Sequence, residues 1–279
     1  MTGLENYPIP NAKLQVGNGY YLELDQLARL LSTVCNDQRG KIPQSDLASA
    51  VGVADRKVEN LASLVNALGL IQKVTYKPTF LGSLIETYDP YFDDIGTLWF
   101  LHYTISSEPR HIIWNRIVNV FLPHQPRFTR DQIRSSLDDL RAWFSEDTIK
   151  KHVLKEINTF LDAYTEQAFS RLAFIRIDGE GYALGYRQPV PSLVLAACIA
   201  RYRSNQRPGD TAVPIPELCG APCSPGLVLQ LPKDRFRSIL EELKNQSGFS
   251  LESRADLDQV GLATGITDVE WMRRYYESR

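Results

Sequence analysis

Several groups of side chains in this sequence could do chemistry, and each implies a different kind. Cys219 and Cys223 are separated by three residues, Gly220-Ala221-Pro222. Redox pairs use two intervening residues, and a structural zinc site needs a second pair that Cys35 and Cys198 do not supply. The pair therefore reads as two small side chains in a loop. His102, His111, His124 and His152 all fall in the middle of the chain, but none accompanies a Ser or Cys in a nucleophile motif. Neither a phosphate-binding glycine loop nor a dinucleotide fingerprint is present. Nothing is in place to activate a nucleophile or hold a cofactor, so the expectation is a non-enzymatic protein without cofactor or metal. Asp89, Asp93 and Asp94 are metal ligands by type. The preferred reading places Asp93 and Asp94 at a helix N-terminus, where the helix dipole favours negative charge.

The remaining candidate is a short polar helix face. Arg56, Lys57, Asn60, Ser63 and Asn66 project away from Val58 and Leu61 at helical spacing. Arg and Lys suit phosphates, whereas Asn and Arg can read base edges. Gln44 and Ser45, at the start of the preceding helix, and Lys73 and Lys77, on the turn that follows, complete the candidate nucleic-acid-binding set. Asp55 and Glu59 oppose it on the same helix. Residues 1–88 also carry as many acidic as basic side chains. Binding to double-stranded DNA should therefore be weak and quickly lost with salt. The other use of the same face is contact with a protein.

These residues need elements to position them. Leu24, Leu27, Leu30, Leu31 and Val34 predict an amphipathic helix, broken at Gly40 and Pro43. Residues 44–53 and 55–61 match a helix-turn-helix: Leu47 and Val51 face the core, Ala48 is small at the crossing, and Gly52 permits the tight turn. Val74, Tyr76 and the run Pro78 to Gly82 read as a short β-wing leading into a further helix. A similar order recurs. Ile112, Ile113, Ile117, Val120 and Phe121 form an apolar helix. Thr129 and Gln132 make a capping box that opens a helix through Trp143, and Ser145 caps one from Glu146 to about Tyr164. Residues 174–186 follow as a hairpin around Asp178-Gly179. The third pass has a helix over Leu193–Tyr202, a short one at Ile215–Leu218, a helix from Pro232 to Lys244, and a hairpin through Phe249, Leu251, Leu257, Val260 and Leu262. The predicted fold is mainly α with short β-hairpins, in tandem winged-helix-like modules over 1–88, 89–190 and 191–279. Leu98, Trp99, Leu101 and Ile105 are expected to fill an interdomain core. Trp99, His102 and Tyr103 as a base-stacking platform is the weaker alternative.

Composition sets the outer limits. The 279 residues are 43% hydrophobic and 23% charged, which excludes a disordered or collagen-like chain. With 31 basic and 33 acidic side chains the net charge is −2, which excludes a globally basic nucleic-acid binder but not a local basic face. Four scattered cysteines suit a reducing cytosol. Met1–Pro10 resembles no targeting signal, and the longest apolar run, Leu193–Ala200, falls far short of the roughly 20 residues of a membrane span. The expectation is a cytoplasmic protein.

The block Tyr88-Asp89-Pro90-Tyr91-Phe92-Asp93-Asp94-Ile95-Gly96-Thr97-Leu98-Trp99-Phe100-Leu101-His102-Tyr103 resembles the signature of a bacterial domain-of-unknown-function family, the one numbered four thousand and seven. Pro78-Thr79 and Leu81-Gly82 before it, Phe128-Thr129-Arg130 and Tyr164 after it, and Ser224-Pro225-Gly226 and Tyr275-Tyr276 near the end also fit. The resemblance covers residues 20–279. It implies genes lying beside those for phosphoadenosine-phosphosulfate-reductase-like and cysteine-desulfurase-like proteins, in DNA phosphorothioation and phage-defence cassettes. It offers no active site to carry over. In that setting the expected role is a DNA-binding adaptor. The alternatives are a scaffold for a sulfurtransferase-like partner and a thiol relay through Cys219 and Cys223.

Overall fold

The computed structural model describes residues 9–39, 42–254 and 257–279, which form two compact units, Met1–Gln188 and Pro189–Arg279. The 88/89 division drawn from the sequence falls inside the first unit.

In the first unit, α1 (Leu24–Asn36) buries Leu27, Leu30, Leu31 and Val34, as their spacing dictates. The expected break at Gly40 lies outside the described residues, whereas Pro43 stands immediately before α2 (Gln44–Val51). α2 and α3 (Asp55–Ala67) pack on α1. The wing expected from the alternation is a single antiparallel bridge, Ile71 to Pro78, spanned by a turn. It leads into α4 (Phe80–Tyr88), whose N-cap, the Thr79 hydroxyl, accepts from the Gly82 N–H at 3.0 Å.

α5 (Ile95–Ser107) is buried on every side, including Trp99, His102 and Tyr103. A helix enclosed all round has no polar face, so its sequence carries no helical stripe. The apolar helix expected next is shorter than predicted: α6 (Ile112–Arg116) passes into a π-helical turn over Ile117–Phe121, closed by Leu122 N–H to the Ile117 carbonyl. β1 (Arg127–Phe128) precedes α7 (Arg130–Ser135), which opens with the Thr129–Gln132 capping box. That helix does not run through Trp143. The Ser136 hydroxyl donates to the Ile133 carbonyl at 2.7 Å and competes with helix propagation, and the chain continues as a 3-10 turn over Asp138–Ala142. α8 (Glu146–Thr165) is capped by Ser145 and buries Val153, Ile157, Phe160 and Leu161. β2 (Ile175–Asp178) and β3 (Gly181–Leu184) close an antiparallel sheet in the order β1-β3-β2.

The second unit repeats that plan. It runs α9 (Ser192–Gln206), β4 (Ala212–Pro214), α10 (Ile215–Gly220), α11 (Pro225–Val228), α12 (Lys233–Glu242), β5 (Phe249–Arg254), β6 (Leu257–Leu262) and α13 (Asp268–Glu277). Its sheet has the order β4-β6-β5, again with the last strand in the middle. α13 lies along α9, with Arg201 paired to Asp268 at 2.6 Å and Trp271 and Met272 fully buried. The chain is thus a mixed α/β protein, mostly helical, with two small three-stranded antiparallel sheets. Among the described residues no helix is long and apolar enough to cross a membrane.

Candidate nucleic-acid interface

The helix-turn-helix is built as its sequence requires. Gly52 ends α2 at φ 75°, ψ 35°, and its N–H and that of Val53 both return to the Ala48 carbonyl, at 2.9 and 3.0 Å. Two bonds onto one carbonyl close the helix and reverse the chain toward α3, a course only a left-handed residue allows cheaply. The Gln44 side chain donates to the Asp55 carbonyl at 2.7 Å and so fastens the first turn of α2 to that of α3. Gln44 therefore has a structural partner. Ser45 is exposed beside it, 3.4 Å from Asp46 Oδ1.

On α3 the predicted face divides. Arg56 is exposed on the first turn. The Lys57 ammonium lies 5.9 Å from the ring centroid of Tyr20, and Asn60 Oδ1 accepts from the Asn18 amide at 2.6 Å. Asn66 donates to the Ile71 carbonyl at 2.7 Å. Leu61, Leu64, Val65 and Leu68 bury the rest of the helix. A strap of chain from Leu14 to Leu22 crosses this face. Gly17 lies so close to Leu64 that a Cβ there would come within 2.4 Å of Leu64 Cγ. The far side of the strap is held by α8: Val16 N–H donates to Glu156 Oε1 at 3.0 Å, and His152 Nδ1 donates to Gln15 Oε1 at 2.5 Å. The first turn of α3, with Asp55 and Arg56 exposed, is the more open part of this face. Gln15, Asn18 and Tyr20 were invisible as contact residues because the strap has no periodicity to read.

The wing lysines part company. Both are exposed, but Lys73 lines a cleft with Asn66 and Arg110, while Lys77 does not. Asn66 is ten residues beyond Arg56, so the cleft lies roughly 15 Å along the helix from the open turn. Val74 and Phe80, on and just after the wing turn, are 74% and 89% exposed.

The other candidates have internal duties. His102 Nδ1 is 2.5 Å from the Tyr164 hydroxyl, in a cage that includes Trp99 and Phe174, so the aromatic block is core. Asp94 caps α5 through the N–H groups of Gly96 and Thr97, and Asp89 accepts from the N–H groups of Asp93 and Asp94. Burial raises the Asp89 pKa from its ordinary value, opposed by the hydrogen bonds it accepts. Cys219 is half-buried and Cys223 buried at φ 63°. Burial pushes the Cys219 thiol up, which disfavours a thiolate nucleophile.

Comparison with known structures gives two matches that span 94% of this chain and 87% of the other, each at 15% identity. They are a magnesium ion-bound SspB crystal structure, TM-score 0.79, and an SspB crystal structure, TM-score 0.76. The likeness is one of fold. No curated protein sequence matches. A family model described as "Protein of unknown function (DUF4007)" matches residues 27–276.

Proposed function

The chain belongs to the DUF4007 family, and from that premise we propose that it is a non-enzymatic, cytoplasmic DNA-binding accessory protein of a DNA phosphorothioate-modification or related phage-defence system. One observation carries the DNA-binding part. The helix-turn-helix keeps the first turn of its second helix in solvent, with Arg56 exposed on it, while Asn60, Ser63 and Asn66 on later turns are only partly exposed. In such motifs the N-terminal turn of the second helix is what enters the major groove. The order helix, strand, helices, hairpin from α9 to β6, and again from α6 to β3, suits winged-helix modules.

The strap narrows the mode of binding. With Asn60 bonded to Asn18 and Lys57 placed over Tyr20, this face is suited to phosphates more than to base edges. Arg56, Lys57, Ser45 and Lys77 would supply a few phosphate contacts, so affinity should be low and steeply salt-dependent. The setting follows what the family resemblance implies. The magnesium of the SspB structure is not carried over, because among the described residues no group of three His, Cys, Asp or Glu side chains gathers to hold a metal.

A mobility-shift assay with duplex DNA at low salt tests this reading. Arg56→Ala/Lys57→Ala should weaken binding at least tenfold, since charge-assisted contacts are each worth roughly a factor of ten. Equal shifts for the double variant and the unaltered protein would remove α3 from the interface.

A second reading is favoured by the exposed Val74 and Phe80. Large apolar side chains left in water suit a protein partner. Here the chain would scaffold a phosphoadenosine-phosphosulfate-reductase-like or cysteine-desulfurase-like protein without touching DNA. No shift at any salt, together with co-purification of such an enzyme, would favour it.

A further inference from the structure

Between the wing turn, the start of the strap and the α5–α6 junction lies a cleft of about 510 Å³. Three cations from distant parts of the sequence line it: Lys13, Lys73 and Arg110. Two of them are set by backbone pairing. Lys13 N–H donates to the Arg110 carbonyl at 2.8 Å, Ile112 N–H returns to the Lys13 carbonyl at 3.3 Å, and Lys13 bridges His111 in parallel. The position of Lys13 is thus fixed by main chain rather than by its own side chain.

The charges in the cleft do not balance. Glu108 is the acidic residue of the lining, and both its oxygens are taken by Arg110, through Nε at 2.7 Å and Nη2 at 2.9 Å. Among the described residues of the lining, neither Lys13 nor Lys73 has such a carboxylate. Burial lowers the Lys13 pKa, and the positive charges of Lys73 and Arg110 lower it further, opposed only in part by Glu108. Converging like charges in a partly dry cleft are costly unless an anion joins them. The neutral groups suit an organic ligand as well. His111 is 7% exposed, and its Nδ1 donates to the Ile105 carbonyl at 3.0 Å, which leaves Nε2 as a hydrogen-bond acceptor. Asn66 lines the same wall.

We propose that this cleft binds the phosphoryl group of a nucleotide-sized ligand, with Lys13 and Lys73 gripping the phosphate and Arg110 orienting it. The volume exceeds what inorganic phosphate alone would fill and lies within the range of small-ligand sites. A terminal phosphate on a nucleic-acid strand and a free mononucleotide present the same chemistry. The site is independent of the open turn of α3.

Calorimetric titration at low salt separates the possibilities. The titrants are adenosine 5′-monophosphate, a 5′-phosphorylated single-stranded oligonucleotide and its 5′-hydroxyl counterpart. Binding of the mononucleotide identifies a free nucleotide as sufficient. Binding only of the 5′-phosphorylated strand identifies a nucleic-acid end. In either case Lys13→Ala/Lys73→Ala should lower affinity at least tenfold, and Lys13→Arg/Lys73→Arg should keep it within a few-fold. The alanines preserve the backbone pairing of Lys13, and Lys73→Ala alone, on an exposed turn, guards against a folding defect. Absence of heat with all three titrants, equal affinity for the phosphorylated and hydroxyl strands, or undiminished binding by Lys13→Ala/Lys73→Ala would overturn the proposal.

Discussion

Glu156 is a carboxylate with no exposed surface, facing the strap from α8. Its Oε1 accepts from Val16 N–H and from Trp114 Nε1 at 2.8 Å, while Oε2 is buried without a hydrogen-bond partner. Burial raises its pKa from the ordinary 4.5 to about 7. Because the folded-state value lies above the unfolded one, the stability linked to this proton is fully present below about pH 4.5 and is lost as pH rises through about 7. Glu156→Gln keeps an amide oxygen for both donors and cannot ionise. It should be more stable than the unaltered protein at about pH 8, by roughly 2–3 kcal/mol, and its unfolding midpoint should vary less between about pH 5 and pH 8. Thermal unfolding across that range decides it, and parallel pH profiles for the two proteins would refute the assignment. Nothing in the sequence singled out Glu156, because a glutamate inside an amphipathic helix is ordinarily solvated. The aromatic block was legible as core, since Leu98, Trp99, Leu101 and Ile105 carry too much apolar surface to leave in water. Lys13, Lys73 and Arg110 were not legible as a group, since only the fold brings them together.

At the scale of elements, capping chemistry and periodicity carried most of the structure. The Thr129–Gln132 box, the Ser145 cap and the Gly52 turn all form where their residue types demand. The strands β1 and β4 could not be foreseen, because two or three residues are too few to show an alternation. Two glycines show how different the same residue's duties can be. At Gly52 nothing lies within 4 Å of an added Cβ, and the requirement is conformational, from φ 75°. At Gly82 an added Cβ would sit 2.1 Å from the Leu70 carbonyl oxygen, which is main chain and already accepts from Thr79 N–H at 2.9 Å. That carbonyl cannot retreat without opening the base of the wing turn. Gly52→Ala should cost about 1 kcal/mol, while Gly82→Ala should cost about 3 kcal/mol or prevent folding. Urea unfolding of the two variants gives the comparison, and equal costs would contradict the close approach of α4 to Leu70.

At the scale of the whole chain, the net charge of −2 described neither proposed binding face, because it averages over segments that the fold separates. The division of the chain has a more direct physical test. Residues 189–279 contain a complete sheet, β4-β6-β5, and helices that bury Val194, Leu195, Ile199, Phe236, Ile239 and Trp271. Arg203 donates to the Leu262 carbonyl, so α9 and β6 are also joined by a polar contact. Roughly 90 residues with their own core are enough for independent stability. The isolated segment 189–279 should therefore fold alone and unfold in one cooperative transition. The other tryptophans, Trp99, Trp114 and Trp143, lie in the first unit, so fluorescence of the segment reports Trp271 alone. Blue-shifted emission that moves to the red in step with loss of helical circular dichroism is the expected result. A fragment with solvent-exposed Trp271 and no helical signal before denaturant is added would show that this core is not self-sufficient.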